Sequence, residues 1–345
     1  MFDALIVGQG IAGSVLAIKL LEKGYKVKIV DQGVNHSSKV AAGVINPVSG
    51  RRYAEPWNYK EMLKACLEFY PKIDKRFNSD CFKSIYIGKI LPTSKDKNEC
   101  LSRIDIDLSK NKDLQDLLPK SFDKIRKDVF FLEGYWLNTS LFLAQCKSFF
   151  EEKDCLNEAE FNSDDLIMGE SCVHYHNQKF IHVVFCEGYH VTSNPFFKYM
   201  PWHLSKGELS EFKLNAHSLE AMIQKNKFII PINKDTLLTG SNYDREDLSL
   251  EPTLIQKESF IEFVREISNF ELTKSRQRVG IRPGSRDRRP YLGRHPKYKN
   301  LYLFNGFGSK GVSQIPACAK HLIDFIFKSE PLPKEMDIAR YQRFF

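Results

Sequence analysis

Three glycines spaced G-x-G-x-x-G, namely Gly8, Gly10 and Gly13, open the chain, and a carboxylate, Asp31, closes the next apolar run. Those residue types at that spacing suit a dinucleotide's diphosphate. Gly8 allows the tight turn, Gly10 lets backbone approach the diphosphate, and Gly13 lets a helix pack closely on a strand. Ile11 and Ala12 begin that helix, where free N–H groups and the helix dipole attract an anion. Asp31, with Gln32 beside it, is placed to accept hydrogen bonds from an adenosine ribose. Its charge would repel a 2′-phosphate, so the ligand is expected to be FAD or NAD rather than NADP. Far along the chain, GIRPGSRDRRPYLG at Gly280 to Gly293 and NGFGSKG at Asn305 to Gly311 bring guanidinium charge and a glycine turn. These pieces are expected to form two ends of one site.

The elements around the first cluster read as strand, helix, strand. Ala4 to Val7 is a buried strand, Ile11 to Glu22 has helical apolar spacing through Val15, Leu16, Ile18 and Leu21, Gly24 ends the helix, and Val27 to Val30 is a second strand. Lys39 to Tyr53 is rich in small residues and lacks a sustained period, a loop able to lie flat beneath a ring; a helix follows over Asn58 to Phe69. From Cys81 to Phe130 the composition turns polar, with a strand over Ser84 to Ile90 and a polar helix over Ser94 to Ser102, as in an inserted segment. Glu133 to Phe150 reads as a turn followed by an amphipathic helix. Phe180 to Phe185 runs as a strand into Cys186, Glu187 and Gly188, a return to the parallel sheet. An antiparallel region is expected from near Gly207, with strands over Glu208 to Phe212, Phe228 to Ile232 and Thr236 to Gly240, and Pro231 marking an edge or strand end. Ser259 to Ile267 has helical spacing, and Arg276 to Arg282 resumes a strand.

Composition bounds the rest. The 345 residues suffice for two domains, 42% apolar content suits a soluble globular protein, and 51 basic against 43 acidic side chains give a net charge of +8. That charge draws anionic ligands, acidic membranes or nucleic acid, or merely solvates the surface. Eight cysteines show no C-x-x-C pair and no metal-type spacing, so reduced structural thiols and a metal-free protein are expected. The apolar N-terminus carries Asp3, lacks a basic leader and is broken by glycines, unlike a signal peptide. No run approaches the ~20 apolar residues of a membrane span. A cytoplasmic setting is the expectation.

The order of these pieces resembles the D-amino-acid oxidase and glycine oxidase family of FAD-dependent amine oxidoreductases, through GQGIAG, the AAG at Ala41 to Gly43, SKGEL at Ser205 to Leu209, GIRPGSRDRRPYLG and NGFGSKG. The resemblance implies an α/β fold: a doubly wound FAD-binding domain (1–80, 131–204 and 275–345) interleaved with a mixed-sheet α+β substrate domain (81–130 and 205–274). It implies FAD, with Gly8, Gly10, Gly13 and Asp31 at the ADP portion and Ala41, Ala42 and Gly43 along the flavin; noncovalent attachment is expected because no cysteine or histidine lies within the Asn305 to Gly311 turn. Gly188 joins the cofactor set, while Gly306, Gly308, Ser309, Lys310, Gly311 and Val312 face the flavin's pyrimidine edge. Arg282 matches the arginine that pairs with a substrate carboxylate; taken alone, it could equally form a structural ion pair.

The implied chemistry is oxidation of the carbon–nitrogen bond of a small amino acid or N-substituted amino acid, by hydride transfer to flavin N5. Such chemistry needs no general base, so His36, His203, His217 and His295 are read as surface or structural residues. Where small-amino-acid oxidases carry a carboxylate-binding tyrosine, this chain offers Phe228; Tyr243 and Tyr291 could compensate. Lys310 could supply charge where oxygen is activated, or face solvent. The expected partners are a small anionic or zwitterionic amine and an electron acceptor, oxygen or quinone. Arg51, Arg52, Arg286, Arg288 and Arg289 leave open a flavin-dependent modification of the transfer RNA wobble uridine, with nucleic acid as partner. A noncatalytic flavin-binding redox protein is the other alternative.

Overall fold

The computed structural model describes residues 1–34, 36–50, 53–103, 114–215 and 217–344. Arg51 and Arg52 fall outside them, as does part of the expected insert over Cys81 to Phe130.

The chain opens as expected: β1 (Phe2–Val7), α1 (Ile11–Glu22) and β2 (Val27–Asp31), with β1 and β2 parallel. β1 alternates between two cores, Ala4 and Ile6 facing one and Leu5 and Val7 the other, so both faces are dry, as a central parallel strand requires. The short α2 (His36–Val40) and the two-residue β3 (Val44–Ile45) interrupt the loop expected over Lys39 to Tyr53. α3 (Tyr59–Phe77) runs past the expected end at Phe69 and through Pro71. Tertiary bonds favour that extension: the Tyr70 hydroxyl donates to the Val312 carbonyl at 2.8 Å, and Asp74 accepts the Cys81 and Phe82 N–H groups at 3.0 and 2.9 Å.

β4 (Phe82–Ile90) and α4 (Ser94–Leu101) follow, and β5 (Val129–Leu137) pairs with β4 along its whole length. This corrects the turn expected from Glu133. Gly134 and the aromatic residues around it belong to a strand, and the helix, α5 (Thr139–Glu152), starts where the Asn138 side chain accepts the Leu141 N–H at 3.1 Å. The chain then adds β6 (Leu156–Glu158), β7 (Leu166–Met168), β8 (Val173–Tyr175) and β9 (Gln178–Phe185), the last parallel to β1.

β10 (Trp202–Lys213) begins earlier than expected and pairs in full with β14 (Lys274–Ser285). Between them lie β11 (Met222–Gln224), β12 (Phe228–Asn233), β13 (Thr236–Gly240) and α6 (Leu254–Ile267). β12 lies inside the strand order, but β11 pairs only with Phe228 and Ile229, so Pro231 has a partner on β13 alone and stands at a local edge, where its missing donor is tolerated. β15 (Tyr291–Arg294), β16 (Leu301–Asn305) and α7 (Gly311–Lys328) are the last of the described strands and α-helices, and a short 3-10 helix at Ile338–Phe344 follows them.

The architecture is α/β with two mixed sheets. One has the order β15-β16-β9-β1-β2-β6 with β7 and β8 attached; the other has the order β14-β10-β13-β12-β11-β4-β5-β3. The chain passes repeatedly between them. The second sheet packs one face on Phe260, Phe263, Val264 and Ile267 of α6, and turns Ile87, Met222, Phe228 and Leu238 toward Ala42 and Val44. Among the described residues no helix is long and apolar enough to cross a membrane, and no group of His, Cys, Asp and Glu could hold a metal ion.

Because Phe260 is fully buried on the α6 side, Phe260→Ala is expected to cost about 3–5 kcal/mol in denaturant unfolding while bound flavin per protein stays unchanged. Flavin loss in the folded variant would show that this core also shapes the site.

Candidate functional site

A cavity of about 640 Å³ is lined from both sheets. At one end are the turn after β1 and the end of β2. Gly8, Gly10, Ile11, Ala12, Asp31 and Gln32 line it; Gly13 does not, because it packs on the turn, where an added Cβ would lie 1.8 Å from the Gly8 carbonyl oxygen. Gly10 caps α1 without a side-chain bond, and the first turn has no acid. The Ile11 N–H meets Ser38 Oγ at 3.2 Å. Asp31 accepts the Gln9 and Gly33 N–H groups, each at 2.7 Å, which fixes the carboxylate for a ribose through its remaining lone pairs.

Along the middle, Ala41, Ala42 and Gly43 form one wall. Trp136 Nε1 donates to the Ala42 carbonyl at 2.9 Å and Thr139 Oγ1 to the Ala41 carbonyl at 3.2 Å. Gly43 has φ +78°, and a Cβ there would stand 1.9 Å from the Leu137 carbonyl oxygen, so only glycine lets this loop hang on the end of β5. Gly188, Gly308, Ser309, Lys310, Gly311 and Val312 also line the cavity, whereas Gly306 stands behind the wall against Tyr291. A cradle of backbone with an acid-free helix start at one end and a flat, small-residue wall beyond it fits a dinucleotide carrying a planar ring.

At the other end is Arg282. Its Nη1 donates to the carbonyls of Lys206 and Asn242 at 3.2 and 3.1 Å, and its Nη2 to Ser241 Oγ at 3.1 Å. The guanidinium lies against Gly207, where a Cβ would sit 2.0 Å from Nη2, and 4.2 Å from the centre of the Tyr243 ring. No carboxylate among the described residues pairs with it, which removes the structural ion pair. Burial lowers its pKa, yet an arginine stays charged, since its intrinsic pKa exceeds ~12. Of five N–H donors, Nε–H and one Nη2–H meet no acceptor among the described residues, which leaves donors on two neighbouring nitrogens for a carboxylate.

Phe228 and Tyr243 line the cavity and Tyr291 does not; Tyr291 is fully buried, its hydroxyl donating to the Pro201 carbonyl at 3.0 Å. Lys310 does not simply face solvent: it is half-buried on the wall, and burial lowers its pKa. His203, His217 and His295 are off the wall, and His295 accepts the Lys297 and Tyr298 N–H groups at 3.1 Å; the side chain of His36 is outside the described set. Arg286, Arg288 and Arg289 are absent from the wall, and Arg289 pairs with Glu335 at 3.3 Å.

Three features escaped the reading of the chain. Gly207, within SKGEL, is the space into which the guanidinium fits. Lys206 and Glu208 on either side of it tie down the loop that brings Ser241 to Tyr243 to Arg282: Lys206 pairs with Asp247, and Glu208 accepts the Thr253 N–H at 2.8 Å. Glu187 lines the cavity beside Gly8, and burial raises its carboxyl from 4.5 to about 7, opposed by the Asn194 amide donating at 2.7 Å. Only contact with Gly8, distant in the chain, reveals its position.

A carboxyl with a raised folded pKa contributes stability that is fully present below its unfolded value and lost as pH rises through the folded one. For Glu187 that window runs from 4.5 to about 7. Glu187→Gln keeps the acceptor for Asn194 without the charge, so its melting temperature should exceed that of the parent by about 2–4 °C at pH 8 and converge with it at pH 4. Parallel melting curves at every pH would exclude a neutral Glu187.

The chain matches the family model described as FAD dependent oxidoreductase over residues 3–325. It is 28% identical over 158 residues to glycine oxidase of Bacillus subtilis, covering 43% of this chain and 42% of that protein. It is 22% identical over 352 residues to the tRNA 5-methylaminomethyl-2-thiouridine biosynthesis bifunctional protein MnmC of Marinobacter nauticus, covering 93% of this chain and 55% of that protein. The chain thus spans about half, or less, of the length of these curated relatives. Among solved structures, glycine oxidase of Bacillus cereus superposes with TM-score 0.74 over 96% of both chains at 19% identity. Iminodiacetate oxidase of Chelativorans sp. BNC1 superposes with TM-score 0.75 over 98% of both chains at 17% identity, a likeness of fold. With its cavity and its family match in agreement, the chain belongs to the D-amino-acid oxidase and glycine oxidase family of FAD dependent oxidoreductases, and FAD is its cofactor.

Proposed function

We propose that the protein oxidises the carbon–nitrogen bond of a small amino acid or N-substituted amino acid, with Arg282 gripping the substrate carboxylate. The observation that carries this reading is a guanidinium on the cavity wall whose protein acceptors are all neutral and whose donors on two neighbouring nitrogens meet no acceptor among the described residues. In this reading Gly8, Gly10 and the start of α1 hold the diphosphate, Asp31 the ribose, and Ala41 to Gly43 with Gly308 to Val312 border the ring. Bound noncovalently, FAD supplies the two-electron acceptor that the side chains lack, with oxygen or a quinone receiving the electrons afterwards.

The remaining work falls to the protein. Arg282 fixes the carboxylate in orientation, and with it the carbon that must lose hydride. Phe228 and Met222 present an apolar wall, and exclusion of water there favours the neutral amine over the ammonium ion. The carboxylates lining the cavity are Asp31, Glu160 and Glu187; β6, which leads to Glu160, pairs with the end of β2, so these acids gather at the dinucleotide end. Among the described residues nothing at the Arg282 end is placed as a carboxylate base, and the ammonium proton leaves to solvent before the amine settles. The half-buried Lys310 adds positive charge beside the glycine turn. The proposal includes the division of labour in which 1–80, 131–204 and 275–345 bind FAD and 81–130 and 205–274 shape the substrate side, with Arg282 reaching that side from β14, a strand of the second sheet. Eight cysteines without a disulfide suit a reducing, cytoplasmic setting.

A second reading, modification of transfer RNA, is favoured by the MnmC alignment, which reaches 93% of this chain. Salt separates the two. A small substrate should lose less than about twofold in rate between 50 and 200 mM salt, whereas an RNA held by several phosphates should lose ~10³-fold or more in affinity.

Arg282→Ala should lower kcat/KM for a carboxylate substrate by roughly 10- to 150-fold with flavin retained. Gly207→Val should reproduce that loss by displacing the guanidinium. Unchanged kcat/KM in Arg282→Ala under anaerobic flavin reduction would end the carboxylate assignment.

A further inference from the structure

Lys89 is a buried cation that the reading above leaves unused. It lies on β4 with 8% of its surface exposed, and its Nζ donates to Oε1 of Gln224, its register partner on the parallel strand β11. No acid among the described residues pairs with it, and the nearby charge that bears on it is a second cation, Lys310. Burial pushes its amine down to about 8, a cost that a nearby anion would relieve.

The Gln224 oxygen also accepts Asn46 Nδ2 at 2.8 Å. With two donors on the oxygen, the amide orientation is fixed, and its two Nε2–H groups meet no acceptor among the described residues. Asn226, exposed at the turn into β12, accepts the Lys227 N–H on Oδ1 at 3.0 Å and so also has an amide donor to offer at the cavity. Gln224, Asn226 and Lys310 line the same cavity as Arg282. This wall therefore offers donors and cations and no acid.

The sheet sets its distance from Arg282. Lys89, Gln224, Phe228 and Gly240 form one row across four adjacent strands, and Arg282 bonds Ser241 just beyond the row's far end. Three strand spacings, about 14 Å, separate the backbone of Lys89 from that of Gly240, with Phe228 between them.

We propose that Gln224, Asn226 and Lys310, backed by Lys89, form a subsite for a second carboxylate, carried on the N-substituent or side chain of an amino acid whose first carboxylate sits on Arg282. The inference rests on the proposed function and names its substrate class: amino diacids with the two acidic groups several bonds apart. Lys89 is a positioning residue, holding the Gln224 oxygen so that the amide N–H groups face the ligand.

The test uses the flavin-loaded protein and two readouts. The first is calorimetric binding of acetate, glutarate, adipate and the phosphonate analogues of the diacids, which needs no turnover. The second is anaerobic flavin reduction by N-methylglycine and by glycines bearing N-carboxymethyl, N-carboxyethyl or N-carboxypropyl groups. A diacid of fitting length should bind at least ~10-fold more tightly than acetate. Lys89→Met and Gln224→Glu should each abolish that preference, with flavin content and the reduction by N-methylglycine changed less than about twofold. Gln224→Glu sets a carboxylate against Lys89 and so keeps the buried charge paired should Lys89→Met fail to fold. Equal losses for single and double acids, an undiminished preference in the variants, or a preference for phosphonates alone would overturn the subsite. Diacid preference without reduction by any amine would leave the subsite standing and remove the proposed function; reduction by single acids without diacid preference would do the reverse.

Discussion

The site depends on keeping a guanidinium at the cavity wall without an acid to neutralise it. An uncompensated buried charge is costly, and here the cost is offset by neutral acceptors: two backbone carbonyls and one hydroxyl hold Arg282. They reach it only because Gly207 has no side chain and because the 241–253 loop is anchored through Lys206 and Glu208. A conventional ion pair would hold the arginine as firmly but would consume the donors that a ligand carboxylate needs. The Ser37 hydroxyl, donating to the Ile281 carbonyl, ties the same strand to the segment leading into the 41–43 loop.

Charge along the cavity is segregated. Acids gather where β2 and β9 end, and cations gather where the second sheet meets the start of α7. That polarity has a physical consequence for the cofactor end, since a dinucleotide's phosphates bring negative charge next to Gly8, close to Glu187. Burial that favours the neutral acid at Glu187 keeps a second negative charge away from the diphosphate. The cation-rich end, by contrast, has no carboxylate among the described residues that line it.

Several readings of the chain survive because they rest on local rules. The turn, helix and strand of the first 31 residues follow from glycine spacing and apolar periodicity, and the motif-borne family resemblance is matched by the family comparison. Others failed where neighbours outweighed local pattern. Glu133 is polar and Gly134 suggests a turn, yet β4 recruits both into a strand. Lys310, which looks like a surface lysine in the chain, is half-buried because the glycine turn folds it onto the cavity wall.

By itself the amino-acid sequence determined the glycine turn after β1, the acid at the end of β2 and the candidate arginine, because spacing along one strand, one turn and one helix end encodes each of them. Only the tertiary structure decided which residues surround that arginine. Gly207 matters through a collision with a side chain on a neighbouring strand, and Lys89 and Gln224 matter through parallel register. Such relations depend on distances across a sheet, and residues far apart in the chain carry no local mark of them.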